Sequence, residues 1–135
     1  DEILIEKFIP GREIQVAILE NKVLGAIELK PKRKFYDYEA KYNPKAKTEH
    51  IIPVKISKKK YKKVTSAALK AHKLLKCRGV TRSDFRFNNG KFYLLETNTQ
   101  PGMTSLSLVP EIANFNNIPF KNLIEKILQD ASINK

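Results

Sequence analysis

The sequence predicts an α+β domain, a mainly antiparallel sheet with flanking helices. Three observations carry that prediction. Short β-rich runs cluster at the start of the chain and again after Gly79. The lysine-rich stretch between them repeats its apolar residues at helical spacing. Neighbouring β-rich runs are joined by connections short enough for hairpins. The 135 residues suffice for one domain with a real core.

Three strand-like runs come first, over Ile3–Ile9, Glu13–Glu20 and Val23–Lys30, with Asn21-Lys22 as a tight turn between the last two. The segment "FYDYEAKYNPKAKTEH" (Phe35–His50) has no clean period and is expected to form a long loop, the kind that tends to carry function. "IIPVKI" follows as a short strand or extended link. Ser57 can cap a helix running to about Lys76, whose apolar stripe is Tyr61, Val64, Ala67 or Ala68, Ala71 and Leu74 or Leu75, and whose opposite face is lysine. Gly79 is its stop signal. His72 lies within this helix and is expected to be non-catalytic; Cys77 is expected to be a small residue packed near the helix end. A hairpin (Val80–Phe87 and Lys91–Thr97), a loop and a last helix from about Phe120 to Asp130 complete the chain.

The hairpin holds the most informative chemistry. "YLLETNTQPGMTSLSLVP" interrupts an apolar run with Glu96 and Asn98, whose spacing of two sends both side chains to one face of a strand. A three-residue connection, Asn88-Asn89-Gly90, would pair Phe87 with Lys91 and Arg82 with Glu96, leaving Asp84 opposite Leu94 on the face of Glu96. Phe85, Phe87, Tyr93 and Leu95 then share an apolar face, while Arg82, Asp84, Arg86, Glu96 and Asn98 share a polar one. A two-residue turn would mix the sets and bury charge, which is costly. Two carboxylates and an amide oxygen beside an arginine suit a hard cation such as Mg²⁺ or Mn²⁺ together with phosphoryl oxygens. An Arg82–Glu96 surface salt bridge fits the same spacing, and spacing alone leaves both open.

Composition narrows the class. There is no apolar run of membrane-spanning length and no signal-peptide pattern, and one cysteine excludes an internal disulfide and fits a reducing compartment. The net charge of +12 would fit a nucleic-acid-binding module, but few aromatics interleave the lysines of "KPKRK" and "KISKKKYKK", and the acidic cluster would repel nucleic acid. The chain opens inside an apolar run without methionine, as expected for a piece of a longer polypeptide.

"EKFIPGRE", "FYDYEAKY", "CRGVTRSDF" and "FYLLETNTQPGMTSLSLVP" together closely resemble the C-terminal part of the D-alanine–D-alanine ligases, which are ATP-grasp enzymes. The likeness runs from Ile3 to about Leu128 with the motifs in family order. It implies that residues 1–135 form the C-terminal ATP-grasp portion, with the D-alanine domain and the central phosphate-binding region upstream. The implied activity is ATP-dependent formation of D-alanyl-D-alanine through an acyl phosphate, for peptidoglycan synthesis, in the cytoplasm. The fragment alone is expected to be inactive. Another ATP-grasp carboxylate–amine ligase is the nearest alternative, and Tyr42 and Ser107 favour the dipeptide ligase.

By resemblance, Asp84, Glu96 and Asn98 hold two Mg²⁺ or Mn²⁺ ions, with Glu96 bridging. Arg82 matches the arginine that holds the transferring phosphoryl group, and Gly102 a backbone N–H donor to the tetrahedral oxyanion. Ser107 and Leu108 match the positions that hold the carboxylate of the second D-alanine. Glu6, Lys7, Phe8 and Ile9 match the hinge strand against which adenine lies, and Glu13 the acid that bonds the ribose hydroxyls. Lys41 and Tyr42 fall in the loop that closes over the site; Tyr42 matches the amide-forming rather than the ester-forming enzymes. The implied partners are ATP and D-alanine, with neither nucleic acid nor membrane, and with a homodimer open to the full-length enzyme. One departure stands out. The turn at Asn88–Gly90 is one residue shorter than the commoner family form.

Overall fold

The computed structural model describes residues 2–31, 48–104 and 106–132. Five antiparallel strands form one sheet in the order β3-β2-β1-β4-β5. β1 (Arg12–Leu19) is central, and every residue after Arg12 in it is buried. It turns into β2 (Lys22–Lys30) through Glu20 and Asn21, both at positive φ (50° and 61°), the two-residue turn whose twist suits a hairpin. That turn lies one residue earlier than the expected Asn21-Lys22, because Lys22 already pairs with Leu19.

β3 (Glu49–Ile51) is a short edge strand on β2. The loop expected over Phe35–His50, with Lys41 and Tyr42, lies mostly outside the described residues, and its last two residues belong to β3. α1 (Lys58–Leu74) starts at Ser57, whose hydroxyl accepts from the Lys60 N–H at 3.4 Å. It lays Val64 and Ala68 on Ile14, Val16, Ile18 and Phe85. His72 is fully buried there, its Nδ1 2.8 Å from Thr81 Oγ1 and its Nε2 unpartnered. Burial, with a smaller contribution from Lys73, lowers its pKa.

β4 (Val80–Asn88) and β5 (Lys91–Asn98) follow. Here the structure overturns the expected three-residue loop. Asn88 pairs with Lys91 across a two-residue turn, Asn89 and Gly90, both at positive φ. Phe87 therefore faces Phe92 and Phe85 faces Leu94, and Tyr93 pairs with Arg86 instead of joining the apolar face. Between Phe85 and Asp84 the register shifts by one: Leu95 is the extra residue, and Glu96 lands directly opposite Asp84 and Asn98 opposite Arg82. The polar set converges as expected, but through a bulge and with different partners.

Two further expectations fail. Ile3–Ile9 is not a strand; no partner pairs with it among the described residues, and Ile3, Leu4 and Ile5 are exposed. The loop expected between the hairpin and the last helix contains α2 (Leu108–Phe115). At eight residues it is too short for periodicity to reveal, and Pro110 disguises it. In the first turn a missing N–H loses no helical bond. α2 packs on β2 at Gly25, where a Cβ would stand 2.7 Å from Ile112 Cγ2. α3 (Phe120–Asp130) has its expected limits. With α2 it closes a second core of Ala17, Leu19, Ile27, Leu29, Val109, Ile112 and Leu123 on the face away from α1. No described helix is long and apolar enough to cross a membrane.

Candidate functional site

Alternation along β4 divides its labour. Ser83 and Phe85 are buried, whereas Arg82, Asp84 and Arg86 take the other face. Arg82 binds Asp84 with both prongs of its guanidinium, Nε to Oδ1 at 2.8 Å and NH2 to Oδ2 at 3.0 Å, and both side chains are largely buried. Its NH2 also stands 3.9 Å from Glu96 Oε1. The Glu96 side chain remains 63% exposed. Asn98 Oδ1 accepts from the Gln100 N–H at 2.9 Å, an Asx-type turn that starts the Pro-Gly segment. The arginine's main partner is thus Asp84 and not the expected Glu96, and Glu96 and Asn98 lie opposite Asp84 and Arg82 on the same face.

Could this set hold a metal ion? Among the described residues no three His, Cys, Asp or Glu side chains form a metal cluster. Asp84 and Glu96 are opposed across the hairpin and Asn98 lies two residues on, giving oxygen donors alone. That donor chemistry suits Mg²⁺ or Mn²⁺, which complete their shells with water and phosphate. The residues fit.

A second feature lies beside the first. Glu6, Lys7, Phe8 and Ile9 line a cavity of about 530 Å³ together with Arg86, Tyr93, Leu94 and Leu95. The expected hinge residues thus form a wall, although not as a strand. Gly11 redirects the chain from this wall into β1. Its φ of 113° is open to glycine, and a Cβ would stand 2.4 Å from Phe87 O. Glu13 is buried, accepts from Gln15 Nε2 at 3.2 Å, and pairs with Arg86 NH2 at 3.2 Å. Arg86 therefore joins Glu13 to the cavity. Sequence reasoning set Arg86 on the polar face without a role and hid Tyr93 and Leu95 in the core. The signal that would have found them is Asn89-Gly90, a two-residue turn pair in its own right.

The third feature is the approach to α2. Ser107 Oγ accepts from the Thr104 N–H at 2.9 Å and lies 2.9 Å from Thr104 Oγ1. A Cβ on Gly102 would come within 2.9 Å of the same Oγ, so only glycine leaves that hydroxyl in place. Leu108 is buried and anchors the helix in the core, leaving its main chain as the polar part. Lys41 and Tyr42 lie outside the described residues.

The D-ala D-ala ligase C-terminus family model matches residues 1–129. The chain belongs to this family. A D-alanine–D-alanine ligase of Pelagibacter ubique is 70% identical over 135 residues, covering 100% of this chain and 44% of that protein. One from Geotalea uraniireducens is 51% identical over 133 residues, covering 98% and 43%. The crystal structure of the Bacillus anthracis D-alanine–D-alanine ligase complexed with ATP superposes with a TM-score of 0.78 at 34% identity, covering 93% of this chain and 41% of that one. The chain thus spans less than half the length of these ligases. ATP-grasp structures of this family share its open antiparallel sheet and flanking helices.

Proposed function

We propose that the chain is the C-terminal part of an ATP-dependent D-alanine–D-alanine ligase, a cytoplasmic enzyme supplying a peptidoglycan precursor. The observation that carries the reading is the convergence of Arg82, Asp84, Glu96 and Asn98 on one sheet face beside the cavity walled by Glu6–Ile9. Phe8, Ile9, Leu94 and Leu95 would take the adenine between apolar walls, and Glu13, held by Arg86, would accept from the ribose hydroxyls. The triphosphate would then extend toward Arg82.

Asp84, Glu96 and Asn98 would hold the two divalent ions, whose charge offsets that of the phosphoryl group in transfer. One carboxylate oxygen of the first D-alanine attacks the γ-phosphorus and ADP leaves, giving the acyl phosphate. Arg82, held by Asp84, would offer its positive charge and its further N–H groups to the transferring oxygens. The amine of the second D-alanine then attacks the carbonyl carbon. Its oxyanion would be met by the Gly102 N–H, and expulsion of phosphate with loss of an amine proton yields the dipeptide. The Ser107 hydroxyl and the Leu108 main chain would hold the carboxylate of the second D-alanine. Lys41 and Tyr42 are proposed to cover the site and keep water from the acyl phosphate.

The test uses the full-length polypeptide with ATP, Mg²⁺ and D-alanine. D-Alanine-dependent ADP release with stoichiometric D-alanyl-D-alanine is expected, and none from residues 1–135 alone. ADP release that follows another amino acid, or that yields no dipeptide, would overturn the assignment.

A further inference from the structure

The first turn of α2 carries a carboxylate whose partner comes from far along the chain. His50 Nδ1 lies 2.6 Å from Glu111 Oε2, both side chains partly buried. An ionised carboxylate only accepts, so Nδ1 carries the proton and donates. His50 sits on β3 opposite Leu29, at the sheet edge that β2 shares with α2, and Glu111 lies four residues beyond Ser107. The Glu111 N–H closes the first helical bond onto Ser107 O at 3.3 Å. The pair thus links the edge strand to the helical turn that opens at Ser107. Gly25 seats the same helix further along, against Ile112 and Asn116.

The tie also has an electrostatic side. A helix N-terminus favours an anion, and a glutamate in the first turn competes for that preference with any carboxylate arriving from outside. Bound to His50, the Glu111 charge is partly compensated and its side chain is committed to β3. Resting on the ligase reading above, we propose that His50 is a positioning residue for the carboxylate subsite of the second D-alanine: it fixes the opening turn of α2 and holds Glu111 out of competition with the substrate. His50 touches no reacting atom in this assignment; it acts through Glu111.

The test is steady-state kinetics of the full-length polypeptide with D-alanine varied at saturating ATP and Mg²⁺, resolving the KM of the second D-alanine from that of the first. His50→Ala is expected to raise the second KM about tenfold, the scale of one lost charge-assisted hydrogen bond. The KM values for ATP and for the first D-alanine should stay within about twofold, as expected for a local perturbation. His50→Gln, which keeps a donor, should rescue most of the loss. Adding Glu111→Gln to His50→Ala should also restore most of it, because the competing charge is gone while the shape remains. An unchanged second KM in His50→Ala overturns the proposal, as does an equal rise for ATP, which marks a general loss of fold. A double variant no better than His50→Ala overturns the electrostatic role. Wild-type protein without D-alanine-dependent ADP release would remove the ligase reading and this inference with it, whereas an active wild type with an insensitive His50→Ala removes the inference alone.

Discussion

Glu96→Gln separates catalysis from stability more cleanly than any other change in this site. The substitution nearly preserves shape and removes one charge. In the folded chain that charge does little structural work. The side chain is 63% exposed, and the Arg82 guanidinium, 3.9 Å away, is already engaged by Asp84. An exposed pair of this kind contributes about 0–1 kcal/mol, so the melting temperature should fall by no more than a few degrees. Asp84→Asn is the contrast. It weakens two charge-assisted bonds between largely buried groups and should cost about 1.5–3 kcal/mol. Activity should fall heavily in both. On the proposed metal site, losing a ligand beside the transferring phosphoryl group would raise the barrier by several kcal/mol, or about a thousandfold or more in rate. Dipeptide formation at saturating Mg²⁺, measured beside a thermal melt of the full-length polypeptide, reads both quantities. Near-normal turnover in Glu96→Gln would remove Glu96 from the proposed metal site. A melt lowered as far as that of Asp84→Asn would refute the division of roles between the two carboxylates.

Gly25→Ala should destabilise by about 1–3 kcal/mol, since the new Cβ meets Ile112 Cγ2 at 2.7 Å in a closed core; a urea midpoint equal to wild type would show that α2 can lift freely from β2. Glu13→Gln, which loosens the Arg86 pair beside the cavity, should weaken ATP binding about tenfold, the scale of one hydrogen bond to a charged group, and spare both D-alanine KM values; direct ATP titration checks it, and unchanged affinity would remove Glu13 from the nucleotide site. His72 is buried with a lowered pKa, so the unfolded chain takes up a proton first as pH falls below about 6.5. Stability should decline from there until the folded-state pKa is reached, by at most about 1.4 kcal/mol per pH unit for one proton, and His72→Gln should flatten the decline seen in urea titrations between pH 7 and 5.

The parts of the fold legible in the sequence were those where a local rule acts alone. Ser57 and the apolar spacing of α1 located that helix within two residues, and α3 was located to the residue. α2 was hidden because Pro110 reads as a breaker unless its place in the turn is known. The N-terminal run was misjudged because Ile3, Leu4 and Ile5 have strand composition without a partner, and pairing is not a local property. The converging polar set was anticipated through the wrong register. A bulge at Leu95 is silent in a strand where Leu94 and Leu95 are chemically alike, so parity counted from either end could not locate it. The roles proposed for the cavity wall and for the acidic cluster came from motif resemblance, whereas the cluster itself followed from strand parity. The His50–Glu111 tie, which joins residues 61 apart, lay beyond any pattern along the chain.

The bulge at Leu95 makes the hairpin a strand pair with slack built into one side. Between the Asn89-Gly90 turn and the carboxylates, β5 carries one residue more than β4 needs. Removing Leu95 would leave an unbroken ladder from Asn88–Lys91 through Phe85–Leu94 to Asp84–Glu96, with both carboxylates still facing each other. A deletion inside β4 has no such refuge, since it would exchange the faces of Asp84 and Phe85 relative to the rest of the strand. Insertions and deletions between homologous ligases are therefore expected to gather on the turn and on β5 up to Glu96, and to be missing from β4. Leu95 is also part of the cavity wall, so the variation that leaves the acidic cluster untouched would reshape that cavity instead.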